Sequence, residues 1–284
     1  MILDIKTRTG HKVRRICEVL GLSRSSFYHA AKPTPSQCAD EEIGVLVEEI
    51  FRRHKRNYGY RRIAEELSDQ GHCVSNDRIR RIMKTRGLIA IQPKNFIPRT
   101  SDGRADKPSE NLLADGAFPE APNQAWAGDI TYIPTTTGWL YLAIIIDLYT
   151  RKVVGWSLAD HMRSELVLNA LNQALRSTAK NPGRIFHSDR GSQYGSKAYR
   201  GPLEKAGIRQ SMSRRANPYD NAWTESMIGT LKAEMLRGGC FENIQDAQTE
   251  IFSYLESYYN TQRKHSSLGY QTPAEFEAQY NSLN

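Results

Sequence analysis

Cysteine is scarce in this chain, and its four residues, Cys17, Cys38, Cys73 and Cys240, form no Cys-x-x-Cys pair. That excludes a disulfide-stapled scaffold and a cysteine-based zinc site, and the thiols read as reduced and structural in a cytosolic protein. Long apolar runs are missing too. The longest, Trp139 to Leu148, carries Asp147 and is too short to span a bilayer, and no apolar leader opens the chain. An acidic excess is also missing, because 39 Lys and Arg against 31 Asp and Glu leave a net charge of +8. The expectation is a soluble, cytoplasmic protein with no membrane contact and a polyanionic partner.

The basic charge is regional. Residues 52–86 hold eleven Lys or Arg and four Asp or Glu, a local excess of seven that is nearly the whole imbalance. Two helix-turn-helix units are expected around it. In the first, about 12–32, Val13, Ile16, Cys17, Val19 and Leu20 give a helical stripe, Gly21 a turn, and Ser23 a cap for a second helix to about Ala31. The second unit, about 41–90, has a helix over Glu41 to Lys55, another over Tyr60 to Ser68, a turn at Gly71, and a final helix capped by Ser75 or Asn76. Around Ile79, Ile82 and Met83, that final helix carries Arg78, Arg80, Arg81, Lys84 and Arg86. Arg78, Arg80, Arg81 and Lys84 are the candidate DNA-contacting residues, since such a face suits a groove-entering or phosphate-contacting helix. A basic solvated helix in a small bundle is the competing reading.

Residues 92–120 are Pro- and polar-rich and read as a linker. They divide a helical region over 1–91 from an α/β region over 121–284. In the latter, strands are expected at Asp129 to Ile133, Leu140 to Ile146 and Arg151 to Ser157, followed by a helix capped by Ser164 and running to Leu175. A fourth strand, Arg184 to His187, ends at Asp189. A helix over Lys197 to Ala206 and a strand over Arg209 to Ser213 follow. Asn217-Pro218 can start a helix to Leu236, and the last long helix is expected over Ile244 to Tyr259. Three strands, a helix, a strand and further helices predict a ribonuclease-H-like fold with helices on both sheet faces.

Within that fold, Asp129 and Asp189 lie on or beside strands and Glu225 on a helix, with 59 and 35 residues between successive acids. Converging, they suit two Mg²⁺ or Mn²⁺ ions, hard cations that favour carboxylate oxygen and act on both sides of a phosphodiester in transfer. Singly, each acid has a plain explanation: Asp129 as an edge or turn residue, Asp189 as a turn-former before Arg190-Gly191, and Glu225 as a surface group. Asp147 reads as a turn residue or a support to the site, and Asp220 as a first-turn acid of its helix.

Taken together, Trp126 with Asp129-Ile-Thr-Tyr-Ile133, the stretch 141–156, His187-Ser-Asp-Arg-Gly-Ser-Gln-Tyr194, Asn217 to Ser226 and the tail from Tyr259 to Pro273 resemble the retroviral-integrase-like D, D-35-E superfamily. The combination is similar to the second reading-frame product of two-frame, copy-out-paste-in bacterial insertion sequences, over nearly the whole chain. The resemblance implies Asp129, Asp189 and Glu225 as catalytic metal ligands and Lys232, seven residues after Glu225, as a contact to terminal DNA. Asn221 shares that helix face and can orient the site or touch DNA, or be a surface amide. Gly229 can permit close helix packing. Retroviral integrases also carry an N-terminal zinc module of two His and two Cys, a spacing absent here, so no structural zinc is expected.

The implied activity is metal-dependent DNA cleavage and strand transfer at insertion-sequence ends. The implied partners are double-stranded DNA (terminal repeats and target), a homo-oligomer in the synaptic complex, and an upstream-frame helix-turn-helix protein, separate or fused. A DNA-binding regulator with an inactive core, and a ribonuclease-H-like nuclease without strand transfer, are the alternatives. Metal-dependent nicking separates the first and joined products the second.

Overall fold

A computed structural model describes residues 2–23, 35–91, 108–114, 118–214 and 222–283. The chain divides into two compact units, Met1–Ile89 and Ala90–Asn284.

In the first unit, α1 (Ile2–Thr9), α2 (Val13–Val19), α3 (Pro35–Arg53), α4 (Tyr60–Asp69) and α5 (Asn76–Thr85) follow in order. Val47, Ile50, Phe51, Tyr58, Ile63, Leu67, Ile79, Ile82 and Met83 are buried, so the apolar stripes of α3, α4 and α5 make a common core. One stop signal recurs. Gly21, Gly71 and Gly87 adopt φ of +62°, +84° and +65°, and the amide after each returns to a carbonyl of the last helical turn, as Leu22 does to Cys17 at 2.9 Å. Ser75 caps α5 by accepting from the Arg78 amide. The sequence pattern missed α1, and the helix expected over Ser23 to Ala31 lies almost wholly outside the described residues.

The second unit is built on a five-stranded sheet. Its strands are β1 (Ala125–Thr135), β2 (Gly138–Asp147), β3 (Val153–Ala159), β4 (Ile185–Ser188) and β5 (Arg209–Met212), in the order β3-β2-β1-β4-β5. β1 to β3 form an antiparallel meander, while β4 lies parallel to β1 and β5 parallel to β4. This is the ribonuclease-H-like arrangement. Alternation along β1 serves two cores. Trp126 and Ile130 face α6 (Ser164–Ser177) and, past the four-residue α7 (Ser192–Gly195), α8 (Lys197–Lys205). Ala125, Ala127 and Ile133 face α9 (Ala222–Leu236) and α10 (Ile244–Phe252). By the same parity Asp129 belongs to the α9 face. Gly155 lets α6 lie directly on β3, because a Cβ there would sit 2.3 Å from the Ala170 carbonyl oxygen.

Several boundaries differ from the expected ones for physical reasons. The third strand starts at Val153, not Arg151, because Arg151 has φ +62° and cannot extend. Arg163, not Ser164, is the N-cap of α6. The expected helix through Tyr259 changes pitch: α10 ends at Phe252 and a π-helix continues over Ser253–Tyr259. A terminal helix α11 (Pro273–Leu283) packs through Phe276 and Tyr280 against Tyr149. The Asn217-Pro218 start proposed for α9 falls outside the described residues. Gly229, expected to allow close packing, has nothing within 4 Å of an added Cβ.

Candidate active site

The β1–β4 register builds the first half of the site. Gly128 lies opposite Ser188 on the parallel strand, and the next residue on each path is Asp129 and Asp189. In-register residues of parallel neighbours project to one side, so both carboxylates leave the sheet on the same side. On the opposite face Gly128 leaves room for the Phe186 ring, which a Cβ would meet at 2.5 Å. Local hydrogen bonds hold each acid: the Ile130 amide donates to Asp129 Oδ1 at 2.8 Å and the Gly191 amide to Asp189 Oδ1 at 2.9 Å. Gly191 also leaves the acid its space, because a Cβ there would stand 3.0 Å from Asp189 Oδ1 and from Gln193 Oε1.

The second half comes from α9. Thr224, Met227, Ile228 and Leu231 turn into the core, which leaves Glu225 and, two turns on, Lys232 along one flank. Electrostatics tie that flank to the sheet. Burial first, and then the charges of Asp189 and Glu225, push the Asp129 carboxyl up to about 8 against the opposing Ile130 amide and Lys232. Burial also raises Glu225 and lowers Lys232, the latter against the pull of Asp129. Sequence reasoning missed Tyr194, 2% exposed, whose hydroxyl is raised by burial and then by the charges of both aspartates. The bulky aromatic after Gly-Ser-Gln was its only signal.

Among the described residues no group of three His, Cys, Asp or Glu side chains is close enough to hold a metal ion. Asp129 feels the charges of Asp189 and Glu225, although the three acids do not close on a point. Their chemistry still fits a divalent cation: hard oxygen donors, one of them buried, its carboxyl raised by that burial and by the neighbouring acids.

Other candidates sort clearly. Asp147 is a turn-former, accepting from the amides of Asn123, Tyr149 and Thr150 at 2.7, 3.0 and 2.7 Å and from Thr150 Oγ1 at 2.9 Å. His187 is buried between Ser211 Oγ and Ser213 Oγ, at 2.8 and 3.2 Å, and ties β4 to the end of β5. Asn221 and Asp220 lie outside the described residues. On α5 the expected cationic face is present, but part of its charge is paired. Arg78 and Arg81 reach Asp40 at 2.6 and 2.8 Å, and Arg86 reaches Glu41 and Glu48 at 2.6 and 2.9 Å, all on α3. Arg80 is exposed, its guanidinium over the Tyr60 ring, and Lys84 is exposed with no ion pair among the described residues. No helix among the described residues is long and apolar enough to cross a membrane.

The fold is that of an integrase core, and the family matches give the class, a polynucleotidyl transferase. Residues 119–218 and 206–273 match integrase core domain families, and residues 38–96 match an HTH-like domain family. The 31 kDa protein of insertion element IS600 from Shigella sonnei is 41% identical over 94% of this chain and 99% of its own length. The transposase for insertion sequence element IS904 from Lactococcus lactis is 40% identical over 88% of this chain and 99% of its own length. A distant structural neighbour, the HTLV-2 integrase catalytic core domain in complex with magnesium, is 17% identical, covers 56% of this chain and 98% of its own, and has a TM-score of 0.41. The chain belongs to the insertion-sequence transposase family.

Proposed function

We propose that Asp129, Asp189 and Glu225 are the metal ligands of this transposase and that Lys232 contacts the DNA end. The observation that carries this reading is the parallel β1–β4 register that sets Asp129 beside Asp189, with the charges of Asp189 and Glu225 adding to burial in pushing Asp129 up to about 8. Asp129, deprotonated, and Asp189 present oxygens from the fixed register of β1 and β4, and Glu225 closes the set from α9. Two divalent ions, Mg²⁺ or Mn²⁺, would supply activation of an attacking oxygen on one side of the phosphodiester and neutralisation of the leaving oxygen on the other. Around them, the protein's own groups set geometry. Lys232, partly desolvated beside Asp129, holds a scissile-strand phosphate, and the Ile130 and Gly191 amides keep the aspartate oxygens aimed.

On this reading residues 1–91 bind duplex DNA, 92–120 connect and 121–284 carry the chemistry. Arg80 and Lys84 contact phosphates, while Arg78 and Arg81 hold α5 to α3. The substrates are double-stranded element ends and target DNA, and joining two ends calls for more than one protomer in the cytoplasm of its host.

The test uses labelled duplexes carrying the sequences that border the gene, with Mg²⁺ or EDTA. Glu225→Gln keeps size and removes charge, so the expected outcome is DNA binding at wild-type level and joining reduced at least ~100-fold, the range for loss of charge stabilisation in a transition state. Wild-type joining by Glu225→Gln refutes the assignment.

A further inference from the structure

The tail motif from Asn260 onward takes no part in the site described above, yet three of its polar residues are deeply buried. Asn260, Arg263 and Thr272 are 4%, 3% and 3% exposed. Arg263 grips Glu234 of α9 with Nε at 2.8 Å from Oε2 and Nη2 at 2.7 Å from Oε1. The Tyr254 hydroxyl, from the π-helix, donates to the same Oε2 at 2.9 Å. Arg263 Nη1 lies 3.2 Å from His265 Nε2, and its guanidinium stands over the Tyr259 ring at 5.8 Å. Three residues before Arg263, the Asn260 side chain pairs with the backbone of Val153, accepting from its amide at 2.9 Å and donating to its carbonyl at 3.0 Å. One short segment therefore holds both the sheet, through β3, and α9.

The position of Glu234 on α9 gives this grip its meaning. It follows Glu225 by nine residues, two and a half turns at about 3.6 residues per turn, and so stands on the opposite flank of the helix from Glu225 and Lys232. Rotation of α9 about its own axis is the motion that swings Glu225 toward or away from Asp129. The apolar face between the flanks, Met227, Ile228 and Leu231, resists rotation weakly, because hydrophobic burial is non-directional. A bidentate guanidinium–carboxylate pair is directional and fixes an angle. A buried ion pair of this kind adds little stability over apolar residues of similar size, so orientation explains it better than stability does.

We propose that the Glu234–Arg263 pair, supported by Tyr254 and Asn260, is a brace that sets the rotation of α9 and thereby places Glu225 and Lys232 at Asp129. These are positioning residues. The proposal rests on the reading of Glu225 as the third acid.

The test uses the full chain and three measurements: thermal melting, Mn²⁺ binding followed by the electron paramagnetic resonance signal of free Mn²⁺, and joining of labelled end duplexes across a metal titration. The double variant Glu234→Met/Arg263→Met replaces the pair by apolar residues and is expected to melt at or above the wild-type temperature. It should bind Mn²⁺ at least ~10-fold more weakly and need correspondingly more metal for half-maximal joining, with excess metal restoring part of the rate. Tyr254→Phe, which removes one hydroxyl, should shift both metal readouts in the same direction by about 2- to 3-fold. Wild-type Mn²⁺ affinity in a folded double variant overturns the brace; should the double variant fail to fold, unchanged affinity in Tyr254→Phe does so. Glu225→Gln in the same titration separates the two ideas. If it leaves Mn²⁺ affinity and joining unchanged, the site reading fails; if it abolishes both while the double variant behaves as wild type, only the brace fails.

Discussion

Replacing Asp129 by Asn should stabilise the metal-free protein while abolishing its chemistry, and the effect should grow with pH. The carboxyl is 9% exposed and pushed up to about 8 from an ordinary 3.8. Between those values the folded state holds a proton that the unfolded state has lost, so unfolding free energy falls as pH rises through that window. At ~1.4 kcal/mol for each pH unit the ceiling is about 6 kcal/mol. Relaxation of the partly open site and water entry reduce it to about 2–3 kcal/mol. Asn carries no charge at any pH, so the variant escapes the penalty. For a unit of this size that corresponds to a melting temperature about 4–12 °C above wild type at pH 8.5, shrinking toward zero near pH 4. The assay is differential scanning fluorimetry in EDTA from pH 4 to 9, repeated with Mg²⁺, which should raise the wild type at pH 8.5 and leave Asp129→Asn unmoved. A pH-independent difference between the two proteins, or equal stabilisation of both by Mg²⁺, refutes the reasoning.

Three further outcomes are expected. Gly191→Ala puts a methyl 3.0 Å from Asp189 Oδ1, so joining should fall about 10-fold or more while the melting temperature moves little; the reverse pattern would mean that the loop is structural only. Asp147→Ala strands three backbone amides and a buried hydroxyl and should cost about 3–5 kcal/mol in denaturant unfolding, while activity per folded molecule persists; loss of activity without loss of stability would make Asp147 a site acid. Arg80→Ala and Lys84→Ala should each weaken duplex binding and lower the slope of log affinity against log salt by about 1, whereas Arg78→Ala and Arg81→Ala, which break pairs to Asp40, should lower the melting temperature of the helical unit first.

The sheet was legible because β1 to β3 are long, apolar and separated by clear turns, and α4 and α5 because their stripes repeat at helical spacing. The convergence of Asp129 and Asp189 was not readable from spacing alone, since it depends on a parallel register between β1 and β4, whose acids have 59 residues between them; the expected ribonuclease-H-like layout supplied it. Pairing of the α5 arginines with Asp40, Glu41 and Glu48 stayed hidden because one-dimensional charge counting cannot tell a solvent-facing cation from one folded onto a neighbouring helix. The π-pitch after Phe252 left no trace in periodicity, because seven residues are too few for a stripe of any pitch to declare itself.

The proposed site takes one acid from β1, one from just past β4 and one from α9, and α9 is gripped by Arg263. A chain emerging from the ribosome therefore carries all three carboxylates well before the segment that orients the last of them has been made. On the proposed reading chemical competence waits for residue 263, so fragments ending before it should fail to join labelled end duplexes.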